Sequence, residues 1–406
     1  NMEYYSTGEI CNIMKKIYLD NSATTQVDPR VLEAMLPYLK DEYGNPGSIH
    51  SFGQKALSAV DEARDKVARF FNCSAQEIIF TGCATESNNL AILGTVNHFL
   101  NQEKKVHIIT SAIEHPSVLE VFKALKNKGQ VEVDFCPVDK YGIIKIEALK
   151  ELIKDNTVLI SIMYVNNEVG SIQPIAEIGK LIKEVREKRG KTELPIRFHV
   201  DAVQAINCLS CNVDELGADF LSFSGHKIYA PKGVGALYIR RGIKIEPLMY
   251  GGHYEYNLRP GTLNVPYIVA LGKAVELAAE DREAETKKLQ KTKDKLITKI
   301  SEIEDIRFNG DLEKQIPSLI NVSFKKAEGE SILMMLDMEG IAISTGSACS
   351  SGSLEPSHVL TAMGVKPEWS HGSIRISLGR FNTEDEVDYF IEKLKTIISK
   401  LRAMAP

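Results

Sequence analysis

Apolar runs of strand length alternate with amphipathic helical stretches from about residue 54 to residue 270, and this alternation constrains the fold more than any other feature. Helical periodicity is clear over Gln54 to Phe71, where apolar residues recur along one stripe. Near-continuous apolar strands separated by helices are buried on both faces of a sheet. The sequence therefore predicts an α/β fold with a mostly parallel sheet. The strand candidates are 77–80, 106–110, 158–163, 196–200, 220–222 and 235–239.

The length of 406 residues exceeds the usual size of a single hydrophobic core, so we expect two domains. Residues 30–270, which hold the alternating pattern, are predicted to form the large domain. A charged stretch from Val265 to Ser301 is typical of a helix, and residues 271–406 are assigned to this linking helix and a small α+β domain. Residues 1–13 precede Met14 and hold no signal-peptide core, so we interpret them as a cloning remnant or an extension.

Composition and charge argue against several classes of function. The net charge of −5 gives no electrostatic case for binding nucleic acid or a membrane surface, and no apolar run approaches the ~20 residues that span a bilayer. Seven cysteines without a secretory segment favour reduced thiols in the cytoplasm. We interpret the close pair Cys208 and Cys211 as two surface or half-buried thiols, because no nearby cluster completes a metal site. A redox pair is the alternative.

Lys227 is the residue whose placement carries the most chemical information. It ends the stretch Ser222–Lys227, a turn of small residues between an apolar run and the strand candidate at 235–239. A lysine held where the backbone turns inward can lose its proton and attack a carbonyl. The natural carbonyl partner is pyridoxal 5'-phosphate, whose phosphate would be met by Ser224 and His226. A structural lysine is the alternative for this stretch taken alone.

Two further stretches fit the same cofactor. Asp201 follows a strand candidate, where its carboxylate can pair with the pyridine nitrogen, and Gln204 could reach the ring hydroxyl. Upstream, the strand candidate at 77–80 runs into a turn, and Ala84 and Thr85 stand where a helix begins. Free N–H groups and the helix dipole make such a start a site for the phosphate. An ordinary N-cap is the alternative for that turn.

Cys349 lies in a stretch rich in glycine and serine, Ser344–Ser353. Such a stretch has little to bury, so we expect a mobile loop on which the thiol is accessible. An accessible thiol can become a reactive thiolate. A chance cysteine in a linker is the alternative that loop composition leaves open.

Taken together, these motifs resemble the cysteine desulfurases of the NifS/IscS type, which are fold-type I enzymes that depend on pyridoxal 5'-phosphate. The resemblance extends from Ile17 to about Leu401 and implies that residues 14–29 join the small domain. Its motifs stand in one order along the chain: 18–25, 45–50, 84–89, 114–115, 165–168, 200–202, 222–227 and 346–349.

The resemblance implies a reaction and its catalytic residues. L-Cysteine would become L-alanine, and Cys349 would take the sulfur as a persulfide. Lys227 and His115 would complete the catalytic set, with His115 stacked on the cofactor ring. The persulfide would pass to an acceptor protein, either an IscU-type scaffold for iron–sulfur clusters or a protein of tRNA thiolation.

The resemblance also implies binding roles for further residues. Arg375 would hold the substrate carboxylate with its planar two-pronged donor. Asn45 and Asn167 would contact the substrate, and Asn167 the cofactor as well. Thr262 would reach the phosphate across a homodimer interface, so that each active site draws on two copies of the chain.

The segment Gly251–Pro260 departs from the family's pattern. His253 and Asn257 stand where glycine is expected, and Pro260 replaces a small residue, so we expect altered substrate access, loop docking or acceptor choice. Cys83 also stands where glycine is commoner. We interpret it as a space-filling residue beside the phosphate turn, an extra reactive thiol being the alternative.

Two other functions stay open from the sequence. One is a different reaction on the same scaffold: a selenocysteine lyase, or a cysteine lyase that gives pyruvate and ammonia. The other is a sulfur-relay partner without catalysis of its own. The product formed from L-cysteine separates the first, and missing yellow absorbance of bound cofactor would favour the second.

Overall fold

The computed structural model describes residues 16–191, 194–345 and 357–404, so Cys349 and its predicted loop lie outside the described residues. In chain order the strands are β1 Ile17–Tyr18, β2 Ile78–Thr81, β3 His107–Ser111, β4 Glu132–Cys136, β5 Thr157–Met163, β6 Arg197–Asp201, β7 Phe220–Ser224, β8 Gly235–Ile239, β9 Ile306–Phe308, β10 Leu319–Phe324, β11 Ile341–Ala342 and β12 Ser373–Ser377. The helices are α1 Pro29–Lys40, α2 Ser51–Phe71, α3 Ala84–Leu100, α4 Pro116–Lys128, α5 Ile146–Leu152, α6 Ile175–Arg189, α7 Val213–Leu216, α8 Val265–Ile300, α9 Gly329–Met338, α10 His358–Ala362, α11 Pro367–Ser370 and α12 Glu384–Met404.

A sheet of seven strands in the order β2-β8-β7-β6-β5-β3-β4 lies at the centre of the first core. Neighbouring strands from β7 to β4 pair in parallel, and β8 runs antiparallel to both β7 and β2. Every residue of β5 to β8 is buried, as their continuous apolar runs require. The predicted α/β fold with a mostly parallel sheet is confirmed.

The strand at the edge of this sheet, β4, was not among the strand candidates. It alternates charged and apolar residues, and Glu132 at its start is exposed. Because Glu132 and Asp134 interrupt its apolar residues, β4 lacks the continuous apolar run by which the buried strands are recognised. Elsewhere the strand bounds differ by a residue or two from those predicted, and Asp201 is the last residue of β6.

A second hydrophobic core packs around two smaller sheets. One is antiparallel in the order β12-β10-β9, and the other pairs β1 in parallel with β11. Asp20, just after β1, also pairs with Ser377 at the end of β12. The N-terminal segment is thereby fixed against strands from the C-terminal part of the chain.

Helix α8 is 36 residues long and serves both cores. Its buried residues from Val265 to Ala278 belong to the first core, and Leu289, Leu296 and Ile300 belong to the second. The sequence predicted a helix over nearly the same residues. None of the helices described here is long and apolar enough to cross a membrane.

Candidate active site

A cavity of about 350 Å³ opens where the carboxyl ends of the parallel strands meet. This is the edge at which open α/β sheets bind ligands, and the volume lies in the usual range for ligand pockets. Its walls bring together residues from both cores. The predicted site residues that line it are Ala84, Thr85, His115, Asn167, Asp201, Gln204, Ser224, His226, Lys227 and Arg375.

Lys227 ends a short 3-10 turn that follows β7 directly, so the strand carries its side chain to the cavity. Its Nζ donates hydrogen bonds to the backbone carbonyls of Ser22 and Ala23, the second at 2.7 Å. Gln204 Nε2 also donates to the Ser22 carbonyl, at 3.0 Å. The N-terminal segment therefore forms one wall of the cavity, a role that was not predicted for the motif at 18–25.

Asp201 is fixed from both sides at the end of β6. Its Oδ1 accepts the Val203 N–H at 3.0 Å, and its Oδ2 accepts from Asn88 Nδ2 at 2.9 Å. The same Nδ2 donates to Ser117 Oγ at 2.8 Å, and Ser117 Oγ lies 2.9 Å from His115 Nδ1. A chain of hydrogen bonds through Asn88 and Ser117 therefore connects the Asp201 carboxylate to His115. No role for Asn88 was predicted from the sequence, because its partner lies 113 residues away.

Two histidines of the cavity are held neutral at pH 7. Burial lowers the pKa of His115, and its Nδ1 accepts the Ser117 N–H at 3.1 Å, so the ring proton is assigned to Nε2. Burial, helped by Lys227, lowers the pKa of His226 to about 4. His226 Nδ1 lies 3.2 Å from Thr24 Oγ1, which again belongs to the N-terminal segment.

One end of the cavity is suited to a phosphate. The 17-residue helix α3 begins at Ala84, and the first N–H groups of a helix have no partner within it. Ser224 and His226 line the same cavity, and both carry side chains that can donate a hydrogen bond. Anion binding at such a helix start needs no further charge. Donors at this end and the Asp201 carboxylate at the other form a set that fits pyridoxal 5'-phosphate.

Arg375 lies on β12 and reaches the cavity from the second core. Its Nη1 donates to the Asn167 carbonyl at 2.9 Å, and its Nη2 pairs with Asp20 at 2.7 Å. The side chain is only 5% exposed, and its Nε has no partner among the described residues. A buried guanidinium with a donor to spare suits a carboxylate ligand.

Two predicted site residues do not line the cavity of this single chain. Asn45 is exposed and accepts a hydrogen bond from Tyr254 Oη at 3.2 Å, and Thr262 is exposed as well. Cys349 lies outside the described residues. Cys83, for which two interpretations were open, is half-buried in the cavity wall as the N-cap residue of α3.

The atypical segment Gly251–Pro260 contains three consecutive left-handed residues. Their φ angles are 44° at Glu255, 55° at Tyr256 and 65° at Asn257, so asparagine takes here a conformation that it tolerates better than most residues. Glu255 is buried and accepts from Arg64 Nη2 at 2.5 Å. This ion pair fixes the strained backbone to the first core.

The pair Cys208 and Cys211 is more buried than predicted. Cys208 is half-buried, but Cys211 is 1% exposed and packs in the first core, so the surface position was wrong for Cys211. Burial raises the pKa of both thiols to about 12. Among the described residues, no group of three or more His, Cys, Asp or Glu side chains is placed to hold a metal ion.

Comparison with known proteins gives consistent matches along the chain. Residues 17–390 match the Aminotransferase class-V family. The chain is 48% identical to "Cysteine desulfurase IscS" of Dictyoglomus turgidum over 97% of each chain. It is 49% identical to the protein of the same name from Methanosarcina thermophila, over 97% of this chain and 94% of that one.

Solved structures agree with this match. A NifS-like protein superposes with a TM-score of 0.88 at 41% identity, covering 95% of this chain and 100% of its own. A structure described as SspA in complex with cysteine superposes with a TM-score of 0.79 at 37% identity, covering 91% of this chain and 100% of its own.

Proposed function

Because the chain belongs to the class-V aminotransferases and, within them, to the cysteine desulfurases of the NifS/IscS type, we propose that it moves sulfur from L-cysteine onto Cys349 as a persulfide and releases L-alanine. The fold-type I architecture is confirmed by the same comparisons. The observation that carries the proposal is the convergence of Lys227, Asp201 and Arg375 on one cavity.

The residues of this cavity would hold pyridoxal 5'-phosphate. Asp201 would face the pyridine nitrogen, Gln204 and Asn167 the ring hydroxyl, and His115 the ring plane. The phosphate would lie at the start of α3, against Ala84, Thr85, Ser224 and His226. When bound, the cofactor supplies a carbonyl carbon for amino groups and a ring that accepts electrons.

Arg375 would orient the substrate through its carboxylate. Asp20 and the Asn167 carbonyl already fix the guanidinium plane, so little side-chain freedom is lost when a ligand binds. Only one N–H of Nη1 and one of Nη2 are used by these two bonds, so the guanidinium keeps a donor on each Nη for the ligand. A carboxylate held here turns the rest of a small amino acid toward Lys227, across the same cavity.

Proton transfer would fall to Lys227 and His115. A neutral Lys227 Nζ is a base that can take the proton from the substrate Cα. His115 Nδ1 is occupied by the Ser117 N–H, so its Nε2 is the atom left to exchange a proton within the cavity. The neutral state of His115 suits this exchange at pH 7.

Sulfur transfer would be a displacement at the substrate sulfur. The Cys349 thiolate attacks that sulfur, an S–S bond forms, and the bond between the sulfur and Cβ breaks. The electron pair of the broken bond stays with Cβ, which takes up a proton, so the carbon skeleton leaves as alanine. The described residue Ser344, five positions before Cys349, pairs with Arg375 and supports a thiol close to the substrate.

A homodimer would complete the site. Thr262 is exposed in the single chain, as a residue that serves a partner's phosphate must be. Leu32, Leu36 and Leu39 form an exposed apolar row along α1, at a spacing that places them on one face. Such a row supports burial against a second copy.

The acceptor and the place of action complete the proposal. The sulfur would pass to an IscU-type scaffold or to a protein of tRNA thiolation. The five cysteines within the described residues are unpaired, which supports a reducing cytoplasm.

Product analysis tests this function. Purified protein loaded with pyridoxal 5'-phosphate is mixed with L-cysteine and a reductant, and alanine, sulfide, pyruvate and ammonia are measured. Alanine and sulfide in equal amounts, lost in Cys349→Ser, are the expected result. Pyruvate and ammonia would identify a lyase, turnover only of selenocysteine a selenocysteine lyase, and no turnover at all a relay protein.

A further inference from the structure

Ser357 is the first described residue after Cys349, and its hydroxyl makes contacts in two directions. Its Oγ donates to Glu168 Oε2 at 2.5 Å. The same Oγ accepts the N–H groups of Val359 and Leu360 at 3.1 and 3.2 Å, as the N-cap of α10. Because the backbone N–H groups use the oxygen as an acceptor, its own proton is free to go to Glu168. The glutamate is therefore the acceptor of this bond.

Glu168 is itself rigidly held, directly after the cavity residue Asn167. Its N–H donates to Asn166 Oδ1 at 2.9 Å, and its carbonyl accepts from Asn321 Nδ2 at 3.0 Å. The preceding residue, Asn167, lines the cavity and binds Arg375 through its carbonyl. Glu168 is only 5% exposed, so its carboxylate has little access to water.

The neighbouring residue His358 makes a second attachment beside the cavity. Its Nε2 lies 2.9 Å from the carbonyl oxygen of Glu114, which directly precedes His115. Glu114 is fully buried, and its Oε1 accepts from Ser111 Oγ at 2.5 Å and from the Met163 N–H at 3.0 Å. Ser357 and His358 are thus attached to the residues beside Asn167 and His115, both of which line the cavity.

The chain on the N-terminal side of Cys349 is attached as well. Ser344 and Arg375 exchange backbone hydrogen bonds in both directions, at 3.2 and 2.6 Å. On one side of Cys349 the chain is therefore attached to Arg375 through Ser344, and on the other side to Glu168 through Ser357. Both attachments stand next to the groups proposed to hold the substrate.

Resting on the proposed function, we propose that Glu168 is a positioning residue for sulfur transfer: its carboxylate fixes Ser357, and so sets where the segment that carries Cys349 rejoins the active site. The reaction needs the thiolate aligned with the substrate sulfur, and small misplacements of reacting groups are costly. Substrate binding, which depends on Arg375, does not need this bond.

Titration of Glu168 gives the bond a pH dependence. Burial raises the pKa of Glu168 to about 7, against the opposing effects of the Ser357 hydrogen bond and of Arg375, which is itself paired with Asp20. An ionised carboxylate is the stronger acceptor for a hydroxyl. The attachment of Ser357 is therefore expected to strengthen as the pH rises through about 7.

Glu168→Ala and Glu168→Gln in the loaded enzyme test the proposal. We expect alanine formation to fall about tenfold to hundredfold in Glu168→Ala and less in Glu168→Gln, which keeps an acceptor oxygen. The affinity for L-alanine, read from the cofactor absorbance, should stay within about twofold, since the substrate site is unchanged. Glu215→Ala is the matched control, because Glu215 accepts from the Ser210 hydroxyl on the surface.

Two further measurements separate positioning from a structural role. Ser357→Ala should cost less activity in the Glu168→Ala background than in the wild type, because the bond between the two residues is already lost and only the N-cap of α10 remains to be removed. The ratio of the wild-type rate to the Glu168→Gln rate should rise from about pH 6 to about pH 8, on either side of the Glu168 pKa. Glu168→Gln keeps the side-chain volume and carries the test if Glu168→Ala does not fold.

Several results would overturn the proposal. Rates of both variants equal to the Glu215→Ala rate would do so, as would additive losses in the double variant or a flat pH ratio. A wild type that makes no alanine would refute the proposed function instead, so the two failures are told apart.

Discussion

Replacing Asn88 with alanine should weaken cofactor binding without unfolding the protein. Asn88 Nδ2 donates to Asp201 Oδ2 at 2.9 Å and to Ser117 Oγ at 2.8 Å, and both partners are buried. In the cofactor-free variant, water in the cavity can replace the lost donor. Bound cofactor excludes that water, so the carboxylate then lacks one hydrogen bond. Loss of the Asn88 hydrogen bond therefore destabilises mainly the protein with cofactor bound.

The size of the effect follows from the charge on Asp201. A hydrogen bond to a charged group contributes about 1.5–3 kcal/mol, and each 1.4 kcal/mol changes a dissociation constant about tenfold. We expect the dissociation constant of pyridoxal 5'-phosphate to rise about tenfold to hundredfold in Asn88→Ala. Equilibrium dialysis of cofactor-free protein against the cofactor measures it.

The adjacent Asn89 provides the control. Its Nδ2 donates only to the Thr85 carbonyl of its own helix, so Asn89→Ala should leave the dissociation constant within about twofold. Thermal melting of both cofactor-free variants checks that each is folded. An unchanged dissociation constant in a folded Asn88→Ala would refute the idea that Asn88 supports Asp201.

Three further changes have defined outcomes. Glu255→Gln leaves Arg64 buried without its counter-charge, so the free energy of unfolding should fall by about 3–5 kcal/mol in urea titration; a loss under about 1 kcal/mol would contradict this. Arg375→Lys loses the planar fork, so steady-state kinetics should show the KM for L-cysteine rising about tenfold or more while kcat changes less; equal falls in kcat and kcat/KM would argue against carboxylate binding. Arg30 and Arg380 hold the pKa of Asp28 well below its usual range, so Asp28 contributes stability above about pH 4 that is lost as the pH falls; melting from neutral to acid pH should show a smaller loss in Asp28→Asn than in the wild type.

The fold was predictable from sequence to the extent that local pattern determines it. Buried strands such as β5 and β8 are continuous apolar runs, and periodicity alone placed α2 to within a few residues. The strand β4 was missed because charged residues alternate with its apolar ones, so that it has no continuous apolar run. Burial on both faces, and not strand formation as such, is what the apolar pattern reports.

The residues proposed to do the chemistry could be recognised by residue type and position, whereas the residues that support them could not. Lys227 and Asp201 stand in recognisable stretches beside predicted strands. Asn88 and Glu168 act through partners 113 and 189 residues away, and no local pattern encodes such a contact. The spacing of charged and apolar residues predicts local structure over a few turns only. Hydrogen bonds between distant parts of the chain become visible only in the folded structure.

The wall that the N-terminal segment contributes has a consequence for how the protein is made. Asp20, Ser22 and Ala23 leave the ribosome early, but Arg375, the partner of Asp20, follows 355 residues later. At about 5–20 residues per second, roughly 20–70 s of translation separate the two. A nascent chain therefore cannot complete its cavity before synthesis is nearly finished. Until β11 has been synthesised, β1 has no strand to pair with, and its backbone N–H and C=O groups are open to pairing with other strands.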